Sequence, residues 1–327
     1  MKTYVADRMQ VINGIFRKNN NWNGYIFRGQ ELKEWGLVPS LFRHKPNSRL
    51  DYSDLIDHHF DRFIIASRGH KEVTELKDDD SRPFDLWAIG QHNELLTPLL
   101  DWTASPYIAL FFAFCEKRKI IISKPPSNLS EINKKLDQPR TVFCLNAKII
   151  NRKYYEAISK TFKRIDIKTY RSYLEIKFDN TVPPTDLQIG KMLFDDNGIN
   201  VDPTKAYDDL ESLWNDILDD VHEKWIRIFV SRSGGNKRMI AQRGVFTFLA
   251  DPTDLIDFIY NNYGDSEEVL SRIDIGNTSR DQILTELSNM NITHMSLFPD
   301  IQGAGLYANY KYLLNSKLNA LDTHSWI

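Results

Sequence analysis

The clearest candidate for chemistry is Arg28, which ends a short aromatic segment in YIFRGQ. If residues 25–28 form a strand, Ile26 and Arg28 share one face of it. A guanidinium on an apolar face needs a carboxylate or a bound anion, because an unpaired charge is costly to bury. Asp101 lies between leucines and Trp102 in LLDWTASP and needs a cationic partner for the same reason. The two residues predict a buried Arg28–Asp101 pair, which is either a structural tie or the border of a phosphate pocket.

A third candidate is Gln242 in MIAQRGVFTFL, directly before a predicted strand. Gly244 would allow another backbone to approach closely, and the amide of Gln242 can hydrogen-bond a sugar hydroxyl. Taken alone, a glutamine at a strand edge is more typical of a neutral surface position. The chain has no P-loop, no GxGxxG after a strand, no HExxH, no CxxC and no GxSxG.

Two further patterns carry weaker indications. RSGGNK resembles a phosphate cradle only loosely, because it lacks the GKS or GKT ending, and a basic surface hairpin is the default interpretation. His58 and His59 are adjacent, so on a helix they diverge and cannot hold one ion together. The sequence therefore predicts no metal site.

The elements that position these residues alternate between strand and helix. Ser105 is a good N-cap and Pro106 suits a first helical turn, so residues 106–117 are predicted to form a buried helix. Apolar spacing predicts other helices over 3–17, 52–75, FDLWAIGQHNELL, 205–222, SRDQILTELSNM and 304–318. Strands are predicted at 25–28, 99–103, RTVFCLNAKII, WIRIFVS and GVFTFLA. This pattern indicates an α+β fold in a single composite domain over residues 1–327.

Composition narrows the class of protein. A hydrophobic content of 42% over 327 residues is that of a globular chain, and a net charge of −2 gives no general attraction to nucleic acid or membrane. The two cysteines, Cys115 and Cys144, lie in apolar runs and are predicted to be buried thiols. The N-terminus does not resemble a signal peptide, and YIALFFAFC is far shorter than the roughly 20 residues of a membrane span. We expect a cytoplasmic protein with no membrane partner.

Four segments in order resemble the motifs of the FRG domain family. They are YIFRGQELKEWGLVPSLFR, QHNELLTPLLDWTASPYIALFFAF, AQRGVFTF and THMSLFPDIQG, and together they run from Tyr25 to Gly303. The resemblance implies a motif core at about 22–149 and 224–303, a helical insertion at about 150–223 and a C-terminal helix at about 304–318. It also implies an ADP-ribosyltransferase-like core, a split sheet of mixed or antiparallel strands surrounded by helices.

The resemblance implies that NAD is the substrate and that Arg28, with the adjacent Gly29 and Gln30, binds its phosphates and ribose. Thr103 or Ser105 matches the motif that lines the nicotinamide site, and Gln242 stands where such enzymes have a glutamate. Further ligand contacts are expected from His92, which can donate to a ribose or phosphate, and from Trp102 or Tyr107, which can stack on a flat ring. A bacterial toxin or anti-phage effector with a protein or nucleic-acid acceptor is the implied setting.

The chain departs from the family pattern at two places. A neutral Gln242 cannot place a negative charge beside a developing cation. Asp101 is the first candidate to replace the missing acid, and Glu94 is the second. After the QH of the second motif, Glu94 replaces a glycine and Pro98 replaces an arginine. Three interpretations remain open: an NAD-consuming enzyme, a non-catalytic module that binds a nucleotide or a partner, and a scaffold in which Arg28 and Asp101 form only an ion pair.

Overall fold

The computed structural model describes residues 1–18, 22–43, 52–71, 73, 83–116, 138–162, 225–231, 237–264 and 266–315. The RSGGNK loop, the helix predicted at 205–222 and most of the predicted insertion lie outside these residues.

Strands and helices alternate along the described chain. The strands are β1 (Lys2–Ala6), β2 (Tyr25–Gln30), β3 (Leu99–Thr103), β4 (Arg140–Asn146), β5 (Arg227–Phe229), β6 (Gly244–Phe248) and β7 (Leu270–Ile275). The α-helices are α1 (Met9–Lys18), α2 (Tyr52–Ala66), α3 (Pro83–His92), α4 (Pro106–Phe114), α5 (Ala147–Phe162), α6 (Lys237–Ala241), α7 (Leu255–Asn262), α8 (Ser266–Val269), α9 (Arg280–Asn289), α10 (His294–Leu297) and α11 (Ile301–Asn315). Two 3-10 turns lie at Ser40–Arg43 and Asn277–Ser279.

The strands form one seven-stranded sheet in the order β1-β7-β4-β2-β3-β6-β5. The β1–β7 pair is parallel and the other neighbours are antiparallel. The sheet is therefore mixed, and with its helices it confirms the predicted α+β class.

Strands β2 and β3 are the least extensively paired neighbours in this sheet. A single residue pair, Phe27 with Thr103, joins the two strands. On its other side β2 pairs with β4 along its whole length from Tyr25 to Gln30, and β3 pairs with β6 in the same way. Beyond Phe27 the strands diverge and leave a gap in the sheet, which we call the split.

The two faces of the sheet are covered by different elements. The first face carries Phe27 and Cys144 and packs on α1, α4 and α9. On the same face, α2 and α3 cover Leu99, Phe246 and Phe248 of the β3–β6 half. The second face carries Ile26 and Phe143 and packs on α7 and the start of α5. Helices thus bury both faces on each side of the split.

Helix α4 begins as the sequence predicts. Ser105 is its N-cap, with the side chain accepting from the Ile108 amide, and Pro106 occupies the first turn. The helix ends at Phe114, three residues before the predicted end at 117. At its C-terminus, Arg140 donates to the carbonyls of Ala113 and Glu116, while Arg280 donates to those of Phe114 and Cys115. The last turn of α4 is therefore capped by two arginines.

The N-terminal prediction is wrong in its first half. Residues 2–6 form the edge strand β1, and only residues 9–18 are helical. The apolar spacing of 3–17 is compatible with one helix, but Lys2–Ala6 pairs with β7, and strand hydrogen bonds to a distant segment outweigh a local pattern. Strand β7 and helices α5 and α7 were not predicted, and the strand predicted over RTVFCLNAKII ends at Asn146, where α5 begins. Of the described helices, none has the length and apolar character to cross a membrane.

Candidate functional site

Arg28 lies at the split and reaches across it. The β4 register places Arg28 on the second face beside Phe143. Its Nη1 donates to the backbone carbonyl of Asp101 on β3 at 2.6 Å. The guanidinium thereby satisfies a carbonyl at the edge where β3 loses β2 as its partner. Its Nε is buried and has no hydrogen-bond acceptor among the described residues.

The predicted buried ion pair is only partly correct. Asp101 Oδ2 lies 3.9 Å from Arg28 Nη1, with the arginine side chain 18% exposed and the aspartate side chain 64% exposed. In a strand, the apolar residues directly before and after Asp101 point to the opposite face of the sheet. They do not cover the Asp101 carboxylate, which is in contact with solvent. Asp101 is therefore an exposed acid at the rim of the split, and Arg28 is the buried partner.

A chain of hydrogen bonds fixes the Asp101 carboxylate. Gln91 on α3 donates from Nε2 to Asp101 Oδ1 at 2.6 Å. The hydroxyl of Thr97 donates to Gln91 Oε1, which orients the amide. Ser40 Oγ accepts from the Thr97 amide at 3.0 Å. The Ser40–Arg43 turn, the end of α3 and the start of β3 are therefore held together around Asp101.

The charge on Arg28 is only partly compensated. Burial lowers the pKa of the Arg28 guanidinium, Asp101 opposes this decrease, and the positive charge of Arg43 adds to it. Two guanidinium groups thus act on one another at the split with one nearby carboxylate. An anion at this position would be stabilised by both cations.

His92 ends α3 on the same side as Asp101. Its imidazole makes no hydrogen bond with any described residue, and the residue is exposed. Partial burial lowers its pKa, as does the charge of Arg238, whereas Asp300 and Asp101 raise it. Arg238 on α6 forms an ion pair with Asp300 and also donates to Gln302 at 2.7 Å. His92 therefore lies among charged groups at the rim and is predominantly neutral at neutral pH.

Gln242 connects three elements. Its Nε2 donates to the Leu297 carbonyl at 3.1 Å, and its own backbone carbonyl accepts from the Thr103 hydroxyl at 2.7 Å. Thr103 Oγ1 in turn accepts from the Ser105 amide at 3.1 Å. The structure thus brings Thr103, Ser105 and Gln242 together, but all three serve the joint between β3, α4 and the start of β6.

Gly29 and Gln30, the neighbours of Arg28, have different environments. A Cβ on Gly29 would stand 1.8 Å from the Ala109 carbonyl, so the glycine is required because α4 crosses β2 closely. Gln30 points to the second face, where Nε2 donates to the Gly36 carbonyl at 3.2 Å and the buried Oε1 has no donor among the described residues.

The two aromatic residues expected to stack on a ligand are part of the core. Trp102 is 3% exposed and packs on the second face. Its indole N–H donates to Thr247 Oγ1 at 3.0 Å. Tyr107 lies edge-on to Phe16, with ring centroids 5.3 Å apart, and donates to Asn13 at 3.0 Å. Tyr107 therefore packs on α1, and Trp102 belongs to the second-face core.

Sequence reasoning missed several residues that act on Arg28, His92 or Asp101. Gln91, Arg43, Arg238 and Asp300 were not among the predicted site residues. Gln91 adjoins His92 in the QH motif, and Arg43 ends the PSLFR segment. Their positions in recognisable motifs were available signals, but only the folded chain shows that both motifs converge on β3. The carboxylate of Glu94, the second candidate acid, is exposed and makes no hydrogen bond or ion pair with the described residues.

Comparison with known proteins identifies this region. Residues 23–120 match the family model of the FRG domain. This segment of the chain is therefore an FRG domain, and it contains both strands of the split together with Arg28, Arg43, His92 and Asp101. The motifs at Gln242 and at residues 293–303 lie outside the matched residues. No curated protein and no solved structure matches the chain.

The arrangement has defined chemical capabilities. A nearly buried guanidinium with a free N–H can bind a phosphate oxygen in a fixed orientation. An exposed carboxylate held by an amide can stabilise a developing positive charge or accept a proton. No group of three or more histidine, cysteine, aspartate or glutamate residues in the described parts of the chain could hold a metal ion.

Proposed function

We propose that this protein binds NAD at the split and cleaves the bond between nicotinamide and ribose, as an ADP-ribosyltransferase or NAD glycohydrolase does. The observation that carries the proposal is Arg28. Its Nε lies buried without an acceptor among the described residues, where the two strands separate. Such a donor is satisfied by an anionic ligand, and a diphosphate is the anion that a planar guanidinium fork fits well.

Asp101 is the proposed acid of the reaction. In this reaction the bond between the nicotinamide nitrogen and the ribose C1′ breaks, and its electron pair leaves with nicotinamide. A positive charge develops on the ribose, and water or an acceptor group attacks C1′ and releases a proton. A carboxylate beside C1′ stabilises that charge. The Asp101 carboxylate is exposed and fixed by Gln91, so it can provide the charge that the neutral Gln242 does not.

The proposed transfer to a macromolecular acceptor is based on the exposure of Asp101 and His92. Asp101 and His92 lie at the surface of the described structure, where a protein or nucleic-acid acceptor has access. An enzyme that consumes NAD or modifies a macromolecule acts as a toxin or an anti-phage effector when it is directed at an essential target. This setting rests on the resemblance of the motifs.

A second candidate function is nucleotide binding without chemistry. Gln242 favours it, because the side chain is neutral and its amide is engaged with the Leu297 carbonyl. In that case Arg28 would hold the ligand and Asp101 would only neutralise Arg28.

The test is a one-dimensional proton NMR time course of NAD with the purified protein. The wild type, Arg28→Ala, Asp101→Asn and Gln242→Ala are measured side by side. We expect the wild type to release nicotinamide, and we expect Arg28→Ala to lose both cleavage and the broadening of NAD signals. Arg62→Ala on α2 is a matched control, because Arg62 is exposed and makes no hydrogen bond or ion pair with the described residues.

The outcomes separate the candidates. Nicotinamide release that depends on Arg28 supports the enzyme. Broadening of NAD signals without release, again dependent on Arg28, supports the binding module. Unchanged NAD signals with the wild type would eliminate NAD as the ligand of the isolated protein.

A further inference from the structure

Arg43 is held at the split by contacts that leave most of its guanidinium free. It ends the Ser40–Arg43 turn, and its Nε donates to the Val38 carbonyl at 2.8 Å. Its terminal N–H groups make no hydrogen bond or ion pair with the described residues. The side chain is thus anchored at Nε, while four donors remain available at its exposed end.

The turn that carries Arg43 is fixed to Thr97, directly before the strand that Arg28 contacts. The Leu41 amide donates to the Thr97 carbonyl at 3.1 Å, and the Thr97 amide donates to Ser40 Oγ at 3.0 Å. Thr97 is linked through Gln91 to the Asp101 carboxylate, and Arg28 donates to the Asp101 carbonyl. The turn that carries Arg43 and the guanidinium of Arg28 are therefore both linked to the segment from Thr97 to Asp101.

Like charges in this position require an explanation. Arg43 lies close enough for its charge to lower the pKa of Arg28 further below its usual value. Asp101 is the counter-charge, but its carboxylate is 3.9 Å from Arg28 and mostly exposed. One exposed carboxylate leaves the two guanidinium groups with a net positive charge. Placing them together is unfavourable unless an anion is bound.

We infer that Arg43 and Arg28 form a two-arginine clamp for a diphosphate, with Arg28 binding from the buried side of the split and Arg43 from the exposed side. The inference rests on the proposed function for the identity of the ligand, but the clamp itself requires only a diphosphate. A diphosphate suits two separate guanidinium groups better than a single phosphate does, because each phosphate can engage one planar fork.

The probes are inorganic pyrophosphate, ADP and adenosine, titrated into the full-length protein by calorimetry. Arg43→Gln removes the charge, and Arg43→Lys keeps the charge without the fork. We expect Arg43→Gln to weaken binding of pyrophosphate and ADP by roughly tenfold or more, the usual effect of losing a charged hydrogen bond, and Arg43→Lys to weaken it less. Adenosine binding should not change. Arg62→Gln is the matched control and should behave as the wild type.

A second readout observes the arginine side chains directly. In 15N-labelled wild-type protein, pyrophosphate should shift the Nε–Hε signals of two arginines, and the same two signals should be missing from Arg28→Gln and Arg43→Gln respectively. Wild-type protein that does not bind pyrophosphate at millimolar concentration would overturn the clamp. So would binding that Arg43→Gln leaves intact, or that Arg62→Gln weakens equally.

The clamp and the proposed function can fail separately. Pyrophosphate binding that depends on Arg43, together with unchanged NAD, would uphold the clamp and reject NAD. NAD cleavage with normal affinity in Arg43→Gln would uphold the enzyme and reject the clamp.

Discussion

The environment of Arg28 is decided by where two strands stop pairing. An arginine in the middle of a regular ladder would have its backbone satisfied and its side chain above the sheet. Here β2 and β3 diverge after Phe27 and Thr103, and the guanidinium enters the gap and meets the Asp101 carbonyl. The sequence predicted that Arg28 and Asp101 would meet, because both are charged in apolar segments. It did not predict that the carboxylate would be exposed, since exposure depends on how far the strands separate.

Replacement of Asp101 tests the role of its charge. Asp101→Asn keeps an acceptor for Gln91 but removes the negative charge beside the proposed reaction centre. We expect the rate of NAD cleavage to fall by about 100-fold. NAD affinity should stay the same or increase, because a carboxylate near a diphosphate is repulsive. Initial rates and calorimetry measure the two quantities, and an unaltered rate would exclude Asp101 as the acid.

Glu94 occupies a backbone conformation that glycine adopts more easily. Its φ of 67° lies in the left-handed region. The amides of Glu94 and Leu95 donate to the carbonyls of Gln91 and Gly90, a helix end at which glycine is the usual residue. A glycine at this position would adopt the same conformation without the steric cost of a Cβ.

We expect Glu94→Gly to increase the free energy of unfolding by about 0.5–1 kcal/mol. The gain is the relief of left-handed strain, reduced by the greater flexibility of glycine in the unfolded chain. Urea denaturation measures it. The control Asp61→Gly, on the exposed face of α2, should instead destabilise the protein by about 0.3–0.5 kcal/mol. A loss of stability in Glu94→Gly would show that the side chain of Glu94 contributes a favourable interaction.

At the scale of elements, helix α4 organises the first face. Its start was predictable from Ser105 and Pro106, because capping is a local property. Its C-terminal arginines were not predictable, because Arg140 and Arg280 come from distant parts of the sequence. Similarly, β1 and β7 depend on each other as partners, and neither has a local pattern strong enough to identify it. The strands that were predicted, β2 to β6, carry aromatic or β-branched residues.

Arg280 should contribute measurably to stability through α4. It donates to the Phe114 and Cys115 carbonyls at 2.9 and 3.0 Å, and removing it leaves both without that donor. We expect Arg280→Ala to lower the free energy of unfolding by about 2 kcal/mol. Arg152→Ala removes an exposed ion pair with Glu156 and should change it by less than about 0.5 kcal/mol. Equal effects of the two substitutions in urea denaturation would contradict this role.

At the scale of the whole molecule, the buried side chain of His294 makes the free energy of unfolding depend on pH. His294 packs edge-on against Phe111 and beside Tyr310. Burial lowers the pKa of His294, and Arg280 lowers it further, whereas Glu116 raises it. The unfolded chain therefore binds a proton more readily than the folded one, so stability rises with pH in this range.

We expect the free energy of unfolding to decrease as the pH falls from 7.5 to 5.5. The loss begins as the pH falls through the unfolded-state pKa near 6.5 and ends below the lower pKa of the folded state. His294→Leu should show a flatter dependence in urea denaturation over the same range. The pKa of His92 is also lowered. The pH dependence of His92→Gln, measured in the same way, therefore shows how much of the slope each histidine contributes. An unchanged slope in His294→Leu would show that other groups dominate.

The strand order determines which fragments of this chain can fold independently. Residues 23–120 match the FRG domain, but the long-paired neighbour of β2 is β4, at Arg140–Asn146, and that of β3 is β6, at Gly244–Phe248. A fragment cut at the limits of the match would keep two strands that share one residue pair and would lose the strands that complete them. We expect such a fragment to have no cooperative thermal transition and poorly dispersed amide signals. The family match therefore covers a segment that is recognisable from its sequence. We expect independent folding to require β6 as well, which lies more than a hundred residues beyond the match.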